Sequence, residues 1–181
     1  MKEEQKIQKS SFWDNLFKTT ASIGDLYDIF KNIALFKNLG KNHFKQLYGL
    51  LHNRSYKFNE YVFHQGDPGN ALYIIIEGSI KIIQTSEIGI EIELVELQSG
   101  DFLGEIALID DDIRSASAIA SSNTKLAVIF KSDLNAYMKK LPVAGVEIMR
   151  NMSHVLSTRL KNLNSDYSDL LNNYNNKLED K

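Results

Sequence analysis

The chain has 181 residues, 43% of them hydrophobic and 24% charged, with no cysteine and a formal net charge of −2. That composition supports one packed core and excludes a disordered or fibrous chain, a disulfide framework, thiol chemistry and cysteine-ligated metals. No apolar run approaches the roughly 18 residues of a membrane span, no signal-type run follows the start MKEEQKIQKS, and the charge gives no global attraction to nucleic acid, so a cytoplasmic protein is expected.

The first sixty residues carry apolar positions at helical spacing. Phe12, Trp13, Leu16 and Phe17 form one face, Leu26, Ile29, Phe30 and Ile33 a second, and Phe44, Leu47, Tyr48 and Leu51 a third, with breaks near Gly24 and Gly40. From residue 56 the period changes. Strands are expected over 56–63, 71–76, 79–85, 90–97, 115–120 and 125–130, divided by turns such as Gly66-Asp67-Pro68-Gly69 and Ser99-Gly100-Asp101. Six of the ten glycines fall between Gly66 and Gly104, and residues 61–140 hold 12 acidic against 6 basic side chains. An acidic antiparallel barrel or roll follows from this pattern.

Helical period returns after Ser132-Asp133, which reads as an N-cap. A helix to about residue 140 meets Pro142, suited to the first turn of the next helix. That last helix is expected to run to about Asn173, with the Asn-rich end frayed or disordered. Leu156, Leu160, Leu163, Tyr167, Leu170 and Tyr174 are spaced 4, 3, 4, 3, 4, which is an a/d seam. Such a stripe packs on its own roll or forms a homodimer seam. The fold class is therefore α+β, an antiparallel β-roll or jelly-roll with N-terminal helices and a long C-terminal helix.

The segment GDFLGEIAL, residues 100–108, followed after a short acidic stretch by Arg114-Ser115-Ala116, stands apart from ordinary strand-and-turn sequence. Gly104 permits a sharp turn and close approach to the backbone, and a helical turn from Glu105 would aim free N–H groups outward. That arrangement suits a phosphate. Arg114 can hold two phosphate oxygens, Ser115 can add a hydroxyl donor, and the Glu105 carboxylate, acceptor-only, suits a sugar hydroxyl. Taken singly, Glu105 and Arg114 read equally as a surface pair or an internal salt bridge. Asp110-Asp111-Asp112 argues against a phosphate unless those side chains point to solvent.

FLGEIAL, the nine-residue step from Glu105 to Arg114, and RSASAIA resemble the phosphate-binding cassette of the cyclic nucleotide-binding domain family, which catabolite activators and kinase regulatory subunits share. FHQGDPGNALYIIIEGSIKI and IALFKNLGKNHFKQLYGLL are similar to the family's turn–strand–hairpin and lead-in helix. The resemblance implies an N-terminal helical extension over 1–28, the binding domain over 29–165, and the helix end with a polar tail over 166–181. It implies that Arg114, Ser115 and the backbone at Ile106 and Ala107 hold the cyclic phosphate. Glu105 and the Gly104 backbone would take the ribose 2′-hydroxyl. Setting the long helix in register by Arg159-Leu160 puts Asn164 and Ser165 near the base, with the helix closing over it. Serine rather than threonine after the cassette arginine favours cyclic AMP over cyclic GMP.

Fewer than ten residues follow Asn173, too few for a helix-turn-helix, and nothing in the chain reads as a channel, kinase or exchange-factor domain. The expected class is a receptor module without cofactor that signals to a separate protein effector. A cupin-like enzyme would need clustered histidines, whereas His43, His52, His64 and His154 are scattered, with His64 read as structural within a strand. The other alternative is a degenerate, ligand-free scaffold, which the intact Gly104, Glu105, Arg114 and Ser115 oppose.

Overall fold

The computed structural model describes Tyr27, residues 30–110 and residues 113–179. The face expected at Phe12, Trp13, Leu16 and Phe17 lies outside the described residues, as do Gly24, Leu26, Ile29, Asp111 and Asp112.

Eight strands form two antiparallel four-stranded sheets. They are β1 (His52–Tyr56), β2 (Tyr61–Phe63), β3 (Ala71–Glu77), β4 (Ser79–Thr85), β5 (Glu91–Gln98), β6 (Phe102–Leu103), β7 (Ser117–Ala120) and β8 (Thr124–Phe130). The order is β1-β8-β3-β6 in one sheet and β2-β7-β4-β5 in the other. Between the sheets lies one apolar cluster, with Ile75, Ile80, Leu97, Leu103, Ala118 and Leu126. A second covers the outer face of the β1-β8-β3-β6 sheet, where Leu72, Ile74, Ile76, Ala127 and Ile129 meet the helices. Strand β3 thus contributes alternate side chains to two cores, which is why ALYIIIE reads as an unbroken apolar run.

The helical layer consists of a 3₁₀ turn (Ala34–Phe36), α1 (Lys41–Tyr48), α3 (Lys131–Lys140) and the start of α4 (Pro142–Glu179), while α2 (Glu105–Asp110) lies between β6 and β7. Phe30 packs against Phe44 and Phe36 at centroid distances of 5.3 and 5.8 Å. From α4, Ala144, Ile148 and Met152 enter the same core. Asn151 Nδ2 donates to Leu35 O at 3.1 Å and Lys37 O at 2.5 Å, tying α4 to the 3₁₀ turn. Leu156 still packs on this core, but Leu160, Leu163, Tyr167, Leu170 and Tyr174 are exposed.

The structure departs from the sequence expectation in several places, among them β6 and the start of β1 at His52, which the expected strands lack, and β7, which begins at Ser117 rather than 115. Of the strand expected over 56–63, Tyr56 closes β1 and Tyr61–Phe63 form β2, with a turn between them in which Asn59 has φ +70° and Lys57 N donates to Glu60 Oε2 at 2.7 Å. Asparagine tolerates that conformation, which breaks the ladder. His64 consequently lies just past β2, exposed and stacked on Tyr61 at 4.1 Å. Helix α3 begins at Lys131 with Phe130 at the N-cap, so Asp133 occupies its first turn, where its charge complements the helix dipole. Finally, the Asn-rich end is helical through Glu179, because residues 146–179 contain neither glycine nor proline to stop α4.

Candidate functional site

The turn after β2 fixes the backbone of Arg114. Gly66 N donates to Arg114 O at 2.9 Å, and Arg114 N donates to Asp67 O at 2.8 Å. His64 N donates to Asp67 Oδ2 at 2.7 Å and locks the turn itself. The Arg114 side chain enters the roll and is 3% exposed. Its Nη2 donates to Ala71 O at 2.7 Å and its Nη1 to Gly104 O at 3.0 Å, while Nε is buried without a hydrogen-bond partner. The guanidinium carbon lies 4.3 Å from the Phe63 ring centroid and 5.5 Å from that of Tyr73. Burial pushes the guanidinium down from its ordinary value, with Tyr73, Glu105 and Asp67 opposing, and it remains a cation.

Gly104 accounts for the tightness of this seat. Its φ is +88°, and a Cβ there would stand 2.6 Å from Arg114 Nη1 and 2.9 Å from Ala71 O. Only glycine meets both demands.

Glu105 opens α2 and is 4% exposed. Its carboxylate Oε1 is paired with Nη1 of Arg159 on α4. Arg159 Nη2 donates to Phe102 O at 2.7 Å, and its guanidinium lies 5.2 Å from the Phe102 ring centroid. The carboxylate keeps acceptor capacity beyond the bond to Arg159. The site therefore pairs a buried cation that has an idle donor with a buried anion tied to the last helix. Neither is the surface residue that each could have been when taken singly.

The structure brings Gly104, Glu105 and Arg114 together. Ile106 and Ala107 form the first turn of α2, where the Ile106 side chain is half-exposed. Ser115 is exposed, and its carbonyl accepts a long bond from Gln84 Nε2 at 3.5 Å. Asn164 and Ser165 are exposed on α4 more than one turn beyond Arg159, where Ser168 Oγ donates to Asn164 O at 2.9 Å. Sequence reasoning missed Phe63 and Tyr73 as the walls around Arg114, and used Arg159 only as a register mark. Its one signal was an arginine beside a leucine seam.

A cavity of about 500 Å³ borders the cassette at Ser117 and is lined besides by Tyr61, His64, Gln65, Glu87 and Glu91. Among the described residues no group of three His, Cys, Asp or Glu could hold a metal ion, and no helix is long and apolar enough to cross a membrane.

Comparison with known proteins agrees with this geometry. Residues 53–140 match the family model of the cyclic nucleotide-binding domain. The chain is 32% identical over 131 residues to the cyclic AMP receptor protein of Thermus thermophilus, covering 72% of this chain and 59% of that protein. It is 31% identical over 114 residues to cGMP-dependent protein kinase 2 of Homo sapiens, covering 61% of this chain and 15% of the kinase. The solved catabolite activator protein of Thermus thermophilus superposes with a TM-score of 0.66 at 31% identity, covering 76% of this chain and 62% of that one. The chain spans less than two thirds of the length of each of these relatives. With their part of the two-sheet roll, the glycine–glutamate turn and the buried arginine, residues 53–140 are a domain of the cyclic nucleotide-binding domain family.

Proposed function

We propose that the protein is a non-enzymatic cytoplasmic receptor for a cyclic nucleotide, cyclic AMP in preference to cyclic GMP, and that it signals through α4 to a separate protein. The observation that carries this reading is the buried Arg114 with its unpartnered Nε, bonded to the Gly104 carbonyl next to a Glu105 already held by Arg159. A buried donor without a partner costs on the order of 1–3 kcal/mol. A cyclic phosphate would satisfy it. Glu105 would accept the ribose 2′-hydroxyl on lone pairs that Arg159 leaves free, so that ligand and α4 share one carboxylate. The first turn of α2, at Ile106 and Ala107, and the Ser115 hydroxyl would assist at the phosphate, and Asn164 and Ser165 would meet the base as α4 closes. Ligand binding then changes the balance between two arrangements of α4, to the extent that it favours one over the other.

Cyclic AMP binding is supported by the receptor from Thermus thermophilus, and the similarity to a cGMP-dependent kinase makes selectivity the point to measure. The exposed Leu160, Leu163, Tyr167, Leu170 and Tyr174 are the proposed homodimer seam. Titration calorimetry with both nucleotides tests the receptor reading. Tighter binding of cyclic AMP is expected, and a dissociation constant above about 100 μM for both, weaker than about −5.5 kcal/mol of binding free energy, would refute it.

A further inference from the structure

Two aromatic side chains outside the cassette restrict how Arg114 can present itself. In a regular strand Tyr61 and Phe63 would share one face of the sheet. The ladder between β2 and β7 instead steps from Tyr61↔Ile119 to Phe63↔Ala118, two residues against one. Val62 and Phe63 both pack toward the interior of the roll as a result. A bulge of this kind re-aims a side chain. The redirected Phe63 ring comes to lie against the Arg114 guanidinium, 4.3 Å from its carbon. Tyr73, from the neighbouring sheet, stands 5.5 Å from the same carbon and 5.5 Å from the Phe63 ring.

The two carbonyl bonds, to Ala71 O and Gly104 O, use one Nη2 and one Nη1 donor. The buried Nε remains. A planar guanidinium offers a two-donor edge made of Nε and its neighbouring Nη. With the Phe63 ring against its face and a carbonyl bond on each Nη, the Arg114 plane is held in a single orientation, and Nε is its donor without a partner.

We infer that Phe63 and Tyr73 are positioning residues for phosphate recognition, holding the Arg114 plane so that its Nε edge meets the two exocyclic oxygens of a cyclic phosphate in one orientation. The inference rests on the reading of Arg114 as the phosphate ligand. Its consequence is stereochemical, because a fixed edge treats the two exocyclic oxygens unequally.

The test is titration calorimetry on the full chain with cyclic AMP and with its two phosphorothioate diastereomers, in which sulfur replaces one exocyclic oxygen or the other. The wild type should bind the diastereomers with unequal affinity. Phe63→Leu should weaken cyclic AMP binding about tenfold, the scale of a desolvated cation–π contact, and bring the two diastereomers toward equal affinity. Phe63→Tyr, which keeps a ring, should restore the wild-type ratio. Tyr73→Leu should show the pattern of Phe63→Leu, and it replaces that variant if thermal unfolding shows that Phe63→Leu does not fold. The positioning role is overturned if the wild type binds both diastereomers equally, or if the leucine variants weaken all three ligands by one common factor. Arg114→Ala separates the two levels. Undiminished cyclic AMP affinity in that variant refutes the phosphate reading itself, whereas a loss there with an unchanged ratio in Phe63→Leu refutes only the positioning role.

Discussion

At Gly104 a backbone angle and a side-chain seat impose the same requirement. Replacing Gly104 by alanine adds a left-handed penalty of about 1–2 kcal/mol and pushes a methyl group into Arg114 Nη1. Gly104→Ala should therefore lower both the urea midpoint and cyclic AMP affinity. Arg114→Ala should weaken cyclic AMP by about one to two orders of magnitude, the scale of charge-assisted bonds, as read by calorimetry. Tyr137 supplies a pH test. Burial pushes its phenol up to about 12, and the hydroxyl donates to His43 O at 2.9 Å. The fold thus binds this proton more tightly than the unfolded chain, whose tyrosines titrate near 10. The contribution is complete below that value and is lost as pH rises through about 12. Urea stability should fall over that window, and Tyr137→Phe should make the fall shallower. The proposed ligand residues were legible in the sequence because glycine, glutamate and arginine stand within one local segment and each has distinct chemistry. Arg159 was not, because it is 54 residues from Glu105 and the contact exists only after α4 folds back over the roll.

Among the elements, α4 has two attachments of different kind. Its first turns are fixed by Ala144, Ile148 and Met152 in the core and by Asn151 on the 3₁₀ turn. Beyond Leu156 the described polar attachment to the roll is Arg159, on Glu105 and Phe102. Arg159→Ala leaves a buried carboxylate without its cation and should cost about 1–3 kcal/mol in urea unfolding. The same variant should speed amide exchange in α4 after Leu156 in the ligand-free protein. Strands β3, β4 and β8 were readable to within a residue because their apolar period is fixed by burial on one or both faces. The turn at Asn59 and the bulge in β2 were not, since each depends on pairing with a distant strand that local period does not encode. Two-residue β6 is too short to carry a period at all.

For the whole molecule, the two cores divide the work. The inner core shapes the roll around Arg114, and the outer core seats the helical layer, with β3 and β8 belonging to both. In the proposed function a shift at Glu105 would reach α4 through Arg159, which also rests on Phe102 of the outer core. The uncovered stripe from Leu160 to Tyr174 lies beyond that contact. Light scattering should give a dimer mass, and Leu163→Asp with Leu170→Asp should return a monomer; a wild-type monomer with and without ligand would remove the seam. The coupling itself is tested most directly by hydrogen exchange along the full chain with and without saturating cyclic AMP. Slower exchange is predicted at two separated places, the cassette from Gly104 to Ser115 and α4 around Arg159, as ligand and helix come to share the Glu105 carboxylate. Slowing confined to the cassette, with α4 unchanged, would contradict the account.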